Sequence, residues 1–386
     1  MRQLRIAIIG GGTAGCGACR RAAELGASEV TLIEKSSLAS GSSGRSAGVY
    51  NLQVLNPIDM RIRIRARELF FRLNDEDKLP LAKIGYLRVA KSEKDLARFA
   101  EAQRFQKSLG AHDARLLTRA EIQKLVPDLS VADIAGALYG PNDGHLDGHI
   151  LCNAIVDEAR SMGARVMLNT KVTGYERRRA GHLLTTDKGA LECDVVINAA
   201  GAWARQVGAM LGHAAPVNPQ VHEVVRVRLP RKLSYTIPMV NFYVPDTEGE
   251  AIYFRQDGED SLISGLHTTL ALEGLDVTDP DNYSPPDGDA YLEEIAKQVS
   301  ERLLVEDLGF KYGWYGLYPL SADGIFQVGP YQADPTVLVV AGMGGIGVVS
   351  GTILGALAAE WAVLGKGQII DGAEALLPDR PTLAGR

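Results

Sequence analysis

The chain has 386 residues, with 41 Lys and Arg against 47 Asp and Glu, a formal net charge of -6. Its 46% hydrophobic and 23% charged residues exclude a disordered, collagen-like or coiled-coil chain, and the acidic balance lacks the footprint of a nucleic-acid binder. Four cysteines in two or three domains' worth of chain exclude a disulfide scaffold and point to a reducing, cytoplasmic setting.

Residues 4–10 form an apolar run ending in glycine, 15–25 an Ala-rich helix and 29–34 a second apolar run. Strand, glycine turn, helix, strand is the unit of a parallel sheet. The first run stops too early, at Gly10-Gly11-Gly12, for a cleavable leader. A Gly/Ser-rich loop covers 36–48, and 57–74 reads as a helix although Arg61, Arg63, Arg65 and Arg67 alternate at period two. Those four arginines suit a solvated helix surface, with a phosphate- or partner-binding stripe as the alternative. Next come a strand at 85–90 and helices at 92–109 and 118–125, the second opened by the capping-box pattern Thr118-Arg119-Ala120-Glu121. A helix at 147–162 and strands at 165–169, 172–176 and 183–186 follow, and the apolar run 195–198 leads into Ala199-Ala200-Gly201-Ala202-Trp203. Segments 221–229 and 251–255 alternate as in an antiparallel sheet, while 274–289, rich in Asp and Pro, reads as an exposed loop.

From 337 to 359 there are 23 residues without a charge, long enough to span a bilayer and holding the small pair Gly351 and Gly355. Six glycines lie in this stretch, four of them within 342–347, and they favour a strand at 337–340, a glycine turn and a buried helix at 348–364 over an integral membrane segment. Cys16 and Cys19 suit core packing, and His145 and His149 a turn, so no metal site is expected.

Gly10, Gly12 and Gly15 form a G-x-G-x-x-G with Thr13 and Ala14 inside it, after a strand and opening a helix; Glu34 lies 19 residues beyond Gly15 at the end of the next strand. Gly10 permits the tight turn, Gly12 lets backbone approach a pyrophosphate, Gly15 lets helix and strand pack, and Glu34 can accept from ribose hydroxyls. This is a dinucleotide signature, and an acid at Glu34 argues against a 2′-phosphate. It does not separate FAD from NAD. Three further segments favour a flavin: the loop Ser42-Ser43-Gly44-Arg45-Ser46-Ala47-Gly48 with its many small residues, the run into Ala200, Gly201 and Trp203, and Gly342-Met343-Gly344-Gly345-Ile346-Gly347 opening the last helix. A helix N-terminus aimed at a flavin's N1/C2=O end would steady the charge of the reduced ring. Lys35 and Val172 join the expected cofactor contacts.

On these segments, with 85–90, 316–329 and 341–355, residues 4–365 resemble the FAD-dependent D-amino-acid oxidase superfamily, nearest its sarcosine oxidase, glycine oxidase and D-arginine dehydrogenase branch. The resemblance implies an α/β, Rossmann-like FAD-binding domain (1–84, 141–215 and 322–386) interleaved with a mixed or antiparallel-sheet substrate domain (85–140 and 216–321). It also implies oxidation of a C–N bond by hydride transfer to flavin N5. Where relatives link FAD through a His or a Cys, this chain has Arg45 and Gly316, so non-covalent FAD is expected, with Arg45 at the flavin or its phosphates. Where enzymes of primary amino acids place an arginine, this chain has Tyr318, as sarcosine and dimethylglycine enzymes do. The implied substrate is therefore a small N-substituted amino acid or amine. Arg255 is the first candidate to clamp a substrate carboxylate, His222 and His267 to take an ammonium proton near neutral pH, and Tyr253 and Tyr50 to complete the substrate side. Ile263 stands where an oxygen-activating lysine is found, which favours a dehydrogenase with another electron acceptor or partner subunit. A D-amino-acid or 2-hydroxy-acid dehydrogenase, an accessory flavin subunit of a larger complex, and an NAD-dependent dehydrogenase remain as alternatives.

Overall fold

The computed structural model describes residues 4–245, 251–267, 273–285 and 287–383. Residues 1–3, and residue 286 within the Asp/Pro-rich stretch, lie outside the described residues. The opening run forms strand β1 (Arg5–Ile9), helix α1 (Thr13–Glu24) and strand β2 (Glu29–Ile33). β1 lies at the middle of a six-stranded sheet in the order Gln327–Pro330, Val337–Ala341, Val195–Asn198, β1, β2, Arg165–Met167. Every pairing is parallel except that of Gln327–Pro330 at the edge. Strands drawn from the beginning, middle and end of the chain thus share one sheet, buried on both faces as near-continuous apolar sequence requires.

On one face, Ile6, Ile8, Val30 and Leu32 pack against α1, the helix Gly148–Ser161 and the last helix, Gly347–Leu364. On the other, Ala7, Ile9 and Val196 pack against the meander of Val172–Arg178, Gly181–Thr186 and Gly189–Cys193 and the short helix Ala204–Met210. Among the described residues, one helical segment is long and apolar enough to cross a membrane, Gly344–Leu364, and most of it is buried inside the protein. Its small pair has a different use: a Cβ at Gly355 would lie 1.9 Å from the Ala14 carbonyl oxygen, and one at Gly17 2.1 Å from that of Thr352. The glycines let the first and last helices of this layer touch backbone to backbone.

The second sheet has eight strands in the order Gly309–Ser321, Val217–Arg228, Ser261–Leu266, Ile252–Gln256, Met239–Asn241, Tyr86–Ala90, Gly136–Gly140, Arg115–Leu117. It is antiparallel except where Met239–Asn241 meets Tyr86–Ala90. Its outer face is covered by the helices Arg119–Leu125 and Gly288–Arg302, with Ile122, Ile295 and Val299 in the shared core. Both halves of the Thr118/Glu121 capping box form. The helix Gly288–Arg302 begins inside the stretch read as loop; the Asp287 side chain accepts from the Ala290 amide and starts it. The helix α2 (Pro57–Asp75) begins at Asn56, whose side chain accepts from the Ile58 and Asp59 amides. Its four arginines are not a solvated surface. Arg63 is buried, Arg67 pairs with Asp113, and Arg61 lies over the Phe105 ring, leaving Arg65 with Glu68 at the surface.

Candidate active site

The two sheets enclose one long cavity, walled by β1 and β2 ends, the Gly/Ser loop, the start of the last helix and the inner face of the eight-stranded sheet. At one end, Gly10 takes φ +112, which L side chains rarely adopt, and a Cβ there would also lie 2.5 Å from the Ala199 carbonyl oxygen. Glu34 is held by two backbone amides, Gly11 N–H at 2.7 Å and Ser36 N–H at 2.8 Å, and still presents its carboxylate to the cavity. Gly12 precedes α1 with no side-chain cap, and the last helix likewise starts uncapped. Thr13 ties the two starts together by donating to the Gly347 carbonyl at 2.8 Å. Gly10, Gly12, Thr13, Ala14, Lys35 and Val172 line this end; Ser43, Arg45, Ser46 and Ala47 line the side; Ala200, Gly201 and Trp203 face them; and Gly344, Gly345, Ile346 and Gly347 close the wall.

Three expected contacts fall elsewhere. Gly15 packs α1 on its strand, its Cβ position 1.8 Å from the Gly10 carbonyl, which is the packing role its place in the motif implies. Gly44 and Gly48 do not line the cavity. A Cβ at Gly44 would lie 2.1 Å from the His149 ring, and one at Gly48 2.0 Å from the Leu146 carbonyl, so both let the loop lie close on its neighbours. Over the cavity mouth, Asp281 accepts from Trp203 Nε1 at 3.0 Å and pairs with Lys35, whose ammonium sits 3.7 Å from the Trp203 ring centroid.

Beyond Gly345 stands Tyr318, close enough that a Cβ on Gly345 would meet its ring at 2.4 Å. His222 stacks on Tyr318 with ring centroids 3.9 Å apart, and His267 meets it edge-on at 6.4 Å. Tyr253 completes this wall. Burial pushes the Tyr318 hydroxyl up to about 12 and the Tyr253 hydroxyl well above its usual range. Burial also holds His222 down to about 4, and burial with the nearby Arg88 and Arg63 holds His267 down to about 3. These imidazoles are neutral acceptors at pH 7, not the near-neutral bases expected from sequence. The His222 Nε2 atom is buried without a partner.

Two substrate-side candidates are corrected. The Arg255 guanidinium is off the cavity, bound to Asp257 at 2.9 Å and to the carbonyls of Gln256 and Ala47, so it is already neutralised. Tyr50 lies in the sheet-and-helix core, edge-on to Phe70 and Phe71. In their place the far end of the cavity is built from Asn51, Arg63, Tyr86, Arg88 and Asn241. The sequence signal for Arg88 was a lone charge within the apolar run Tyr-Leu-Arg-Val-Ala. Ile263 is fully buried and also off the cavity, while Gly316 and Arg45 both line it and lie against each other, a Cβ on Gly316 meeting Arg45 Cβ at 3.2 Å. All four cysteines are buried away from it, and no group of three or more metal-ligating side chains occurs among the described residues.

The cavity suits an extended dinucleotide. Two helix starts without side-chain caps open onto it, as phosphates require, Glu34 held by backbone amides lines it, as a ribose requires, and glycines clear the wall next to Tyr318. The family model described as FAD dependent oxidoreductase matches residues 5–361. Human mitochondrial dimethylglycine dehydrogenase is 27% identical over 376 residues, covering 93% of this chain and 42% of that protein. Mouse mitochondrial sarcosine dehydrogenase is 27% identical over 374 residues, covering 94% and 40%, so the chain spans about two fifths of the length of these relatives. Glycine oxidase of Geobacillus kaustophilus (strain HTA426) is 26% identical over 364 residues, covering 92% of each. Among solved structures, L-proline dehydrogenase from P. horikoshii superposes with a TM-score of 0.83 at 24% identity, covering 95% of each chain. A match that runs through both sheets and both glycine-bearing ends of the cavity leaves one assignment: the chain belongs to the FAD-dependent oxidoreductase family.

Proposed function

We propose that this oxidoreductase oxidises the C–N bond of an N-substituted amino acid of the sarcosine or dimethylglycine type to an imine, which water then hydrolyses. One observation carries the reading: where an arginine would clamp a primary amino acid, the cavity wall is the Tyr318 ring stacked on His222. Two parallel rings make a flat, largely apolar surface that suits an N-alkyl group better than a bare ammonium. The relatives at 27% identity, named for dimethylglycine and sarcosine, support the same choice.

Bound FAD supplies the two-electron acceptor. In this reading residues 1–84, 141–215 and 322–386 serve FAD, held by the cavity-lining residues from Gly10 to Lys35, Ser43 to Ala47, Val172, Ala200 to Trp203 and Gly344 to Gly347. Residues 85–140 and 216–321 serve the substrate. The orphaned His222 Nε2 accepts a hydrogen bond from the substrate nitrogen and fixes its orientation. The rings of Tyr318, Tyr253 and His267 exclude water from the reacting bond. FAD is held without a covalent link, since Arg45 and Gly316 offer no nucleophile and the cysteines lie elsewhere.

The test is an anaerobic substrate panel. Sarcosine-type amines should bleach the flavin band near 450 nm; bleaching by D-alanine or D-arginine and by no N-alkylated amino acid overturns the reading. Acid precipitation should release the yellow colour into the supernatant.

A further inference from the structure

The far end of the cavity holds more positive charge than the protein neutralises. Arg63 comes from α2 and Arg88 from the strand Tyr86–Ala90; both line the cavity, yet they are only 3% and 5% exposed. Arg88 gives Nε to the Gln53 carbonyl at 2.6 Å, Nη1 to the Tyr243 carbonyl and Nη2 to the Tyr86 hydroxyl at 3.1 Å. All three partners are neutral. A guanidinium has five N–H donors, so two on Arg88 stay free. Arg63 binds one carboxylate, Asp59 at 2.9 Å, and touches the Asn51 carbonyl at 3.4 Å, keeping further donors. Among the described residues, then, two buried guanidinium groups share one carboxylate.

A buried charge without a counter-ion is costly, whereas a planar carboxylate matches a guanidinium's paired donors. The third ionisable group here adds no anion. His267 is neutral and is itself held in that form partly by these two arginines. His267 also meets the Tyr318 ring edge-on, so it lies between the arginine end and the ring stack.

Resting on the N-substituted amino-acid reading, we propose that Arg63 and Arg88 form the subsite for the substrate carboxylate, which completes their charge balance and points the N-alkyl group at Tyr318. The subsite accounts for the carboxylate that an N-substituted amino acid carries. This is the clamp that sequence reasoning assigned to Arg255, relocated to two residues of different elements.

The experiment titrates the FAD-loaded protein with 2-furoate, 2-furamide and inorganic phosphate, following the flavin absorption spectrum. Furoate should perturb the spectrum and furamide should bind at least about 10-fold more weakly. Arg63→Gln and Arg88→Gln should each weaken furoate by roughly 10- to 100-fold, as expected for a hydrogen bond to a charged group. Because Arg88 also bridges two backbone carbonyls, Arg88→Lys is measured beside it, with FAD content and melting temperature. If either Arg88 variant loses FAD, Arg63→Gln and the acid–amide comparison on the unaltered protein decide. No furoate binding, equal binding of acid and amide, unchanged binding in Arg63→Gln, or tighter binding of phosphate than of furoate each overturns the proposal. A protein that binds furoate through these arginines but is bleached by no N-substituted amino acid keeps the carboxylate subsite and loses the reaction.

Discussion

Gly355→Ala tests whether the contact between the first and last helices sets the cofactor cleft. The added Cβ would lie 1.9 Å from the Ala14 carbonyl oxygen and 2.7 Å from the Ala18 amide nitrogen. Ordinary contact starts at 3.4 Å, so the two helices must part by about 1.5 Å at this point, and no side-chain rotation can relieve a clash with backbone. Overpacking of this kind destabilises by about 1–3 kcal/mol, offset by roughly 0.5–1 kcal/mol of helix preference for Ala over Gly. At roughly 2–4 °C per kcal/mol, the melting temperature should fall by several degrees. The parting also pulls Thr13 from the Gly347 carbonyl, so the two helix starts that wall the cavity separate and FAD content should drop. Flavin-to-protein absorbance ratio and a thermal melt with and without added FAD read both effects. Gly174→Ala is the control, with a Cβ in ordinary contact at 3.4 Å from Thr185. Unaltered melting and FAD content in Gly355→Ala, or equal damage in Gly174→Ala, would refute the reasoning.

Other expectations concern protons and the cavity mouth. His222 is held down to about 4 when folded against an ordinary value near 6.5, so the unfolded chain binds more protons between these limits. Its contribution to stability is present above pH 6.5 and is lost as pH falls toward 4; urea midpoints across that window should fall less steeply in His222→Gln. Asp143 has the opposite sign, since burial raises it to about 7. Its contribution is full below pH 3.8 and is lost as pH rises through 7, so Asp143→Asn should gain on the parent protein between pH 5 and pH 8; a constant difference at both would contradict this. Asp281→Asn removes the Lys35 ion pair and weakens the Trp203 contact at a partly exposed site. Such a pair is worth about 0–1 kcal/mol, so the FAD dissociation constant should rise only several-fold, and a hundredfold rise would mean that the mouth holds the cofactor far more firmly than its exposure implies.

The cofactor end was legible because its chemistry is local. Gly10, Gly12, Gly15 and Glu34 sit at fixed offsets within one strand–helix–strand unit; Gly10 makes the turn, Gly15 packs helix on strand, and Gly12 and Glu34 line the cavity. The substrate end was legible only in part. Tyr318, His222 and Tyr253 stand on strands of one sheet and His267 just past the end of another; the His222 and His267 rings meet Tyr318, and Tyr253 lines the same cavity. Arg255 shares that sheet, yet Asp257, two residues on, captures it, and no periodicity reports such a pairing. Arg63 was hidden because a charge on an amphipathic helix reads as solvent-facing until the opposing strand is known, and Arg88 because a single charge in the short strand Tyr86–Ala90 does not say which face it takes. The helix Gly288–Arg302 was missed because acidic and proline residues masked its start, although Asp287 followed by Leu292, Ile295 and Val299 carries a cap and a helical period.

The bond from Thr13 to Gly347 spans 334 residues of sequence. A ribosome adding 5–20 residues per second takes about 15–70 s to make the chain between them. For that interval the nascent βαβ unit has its glycine turn but lacks the helix that seals it, and α1 can pack only on its own sheet and on the helix Gly148–Ser161. A chain cut short before the final helix would therefore lack one wall of the cleft that its first fifteen residues begin.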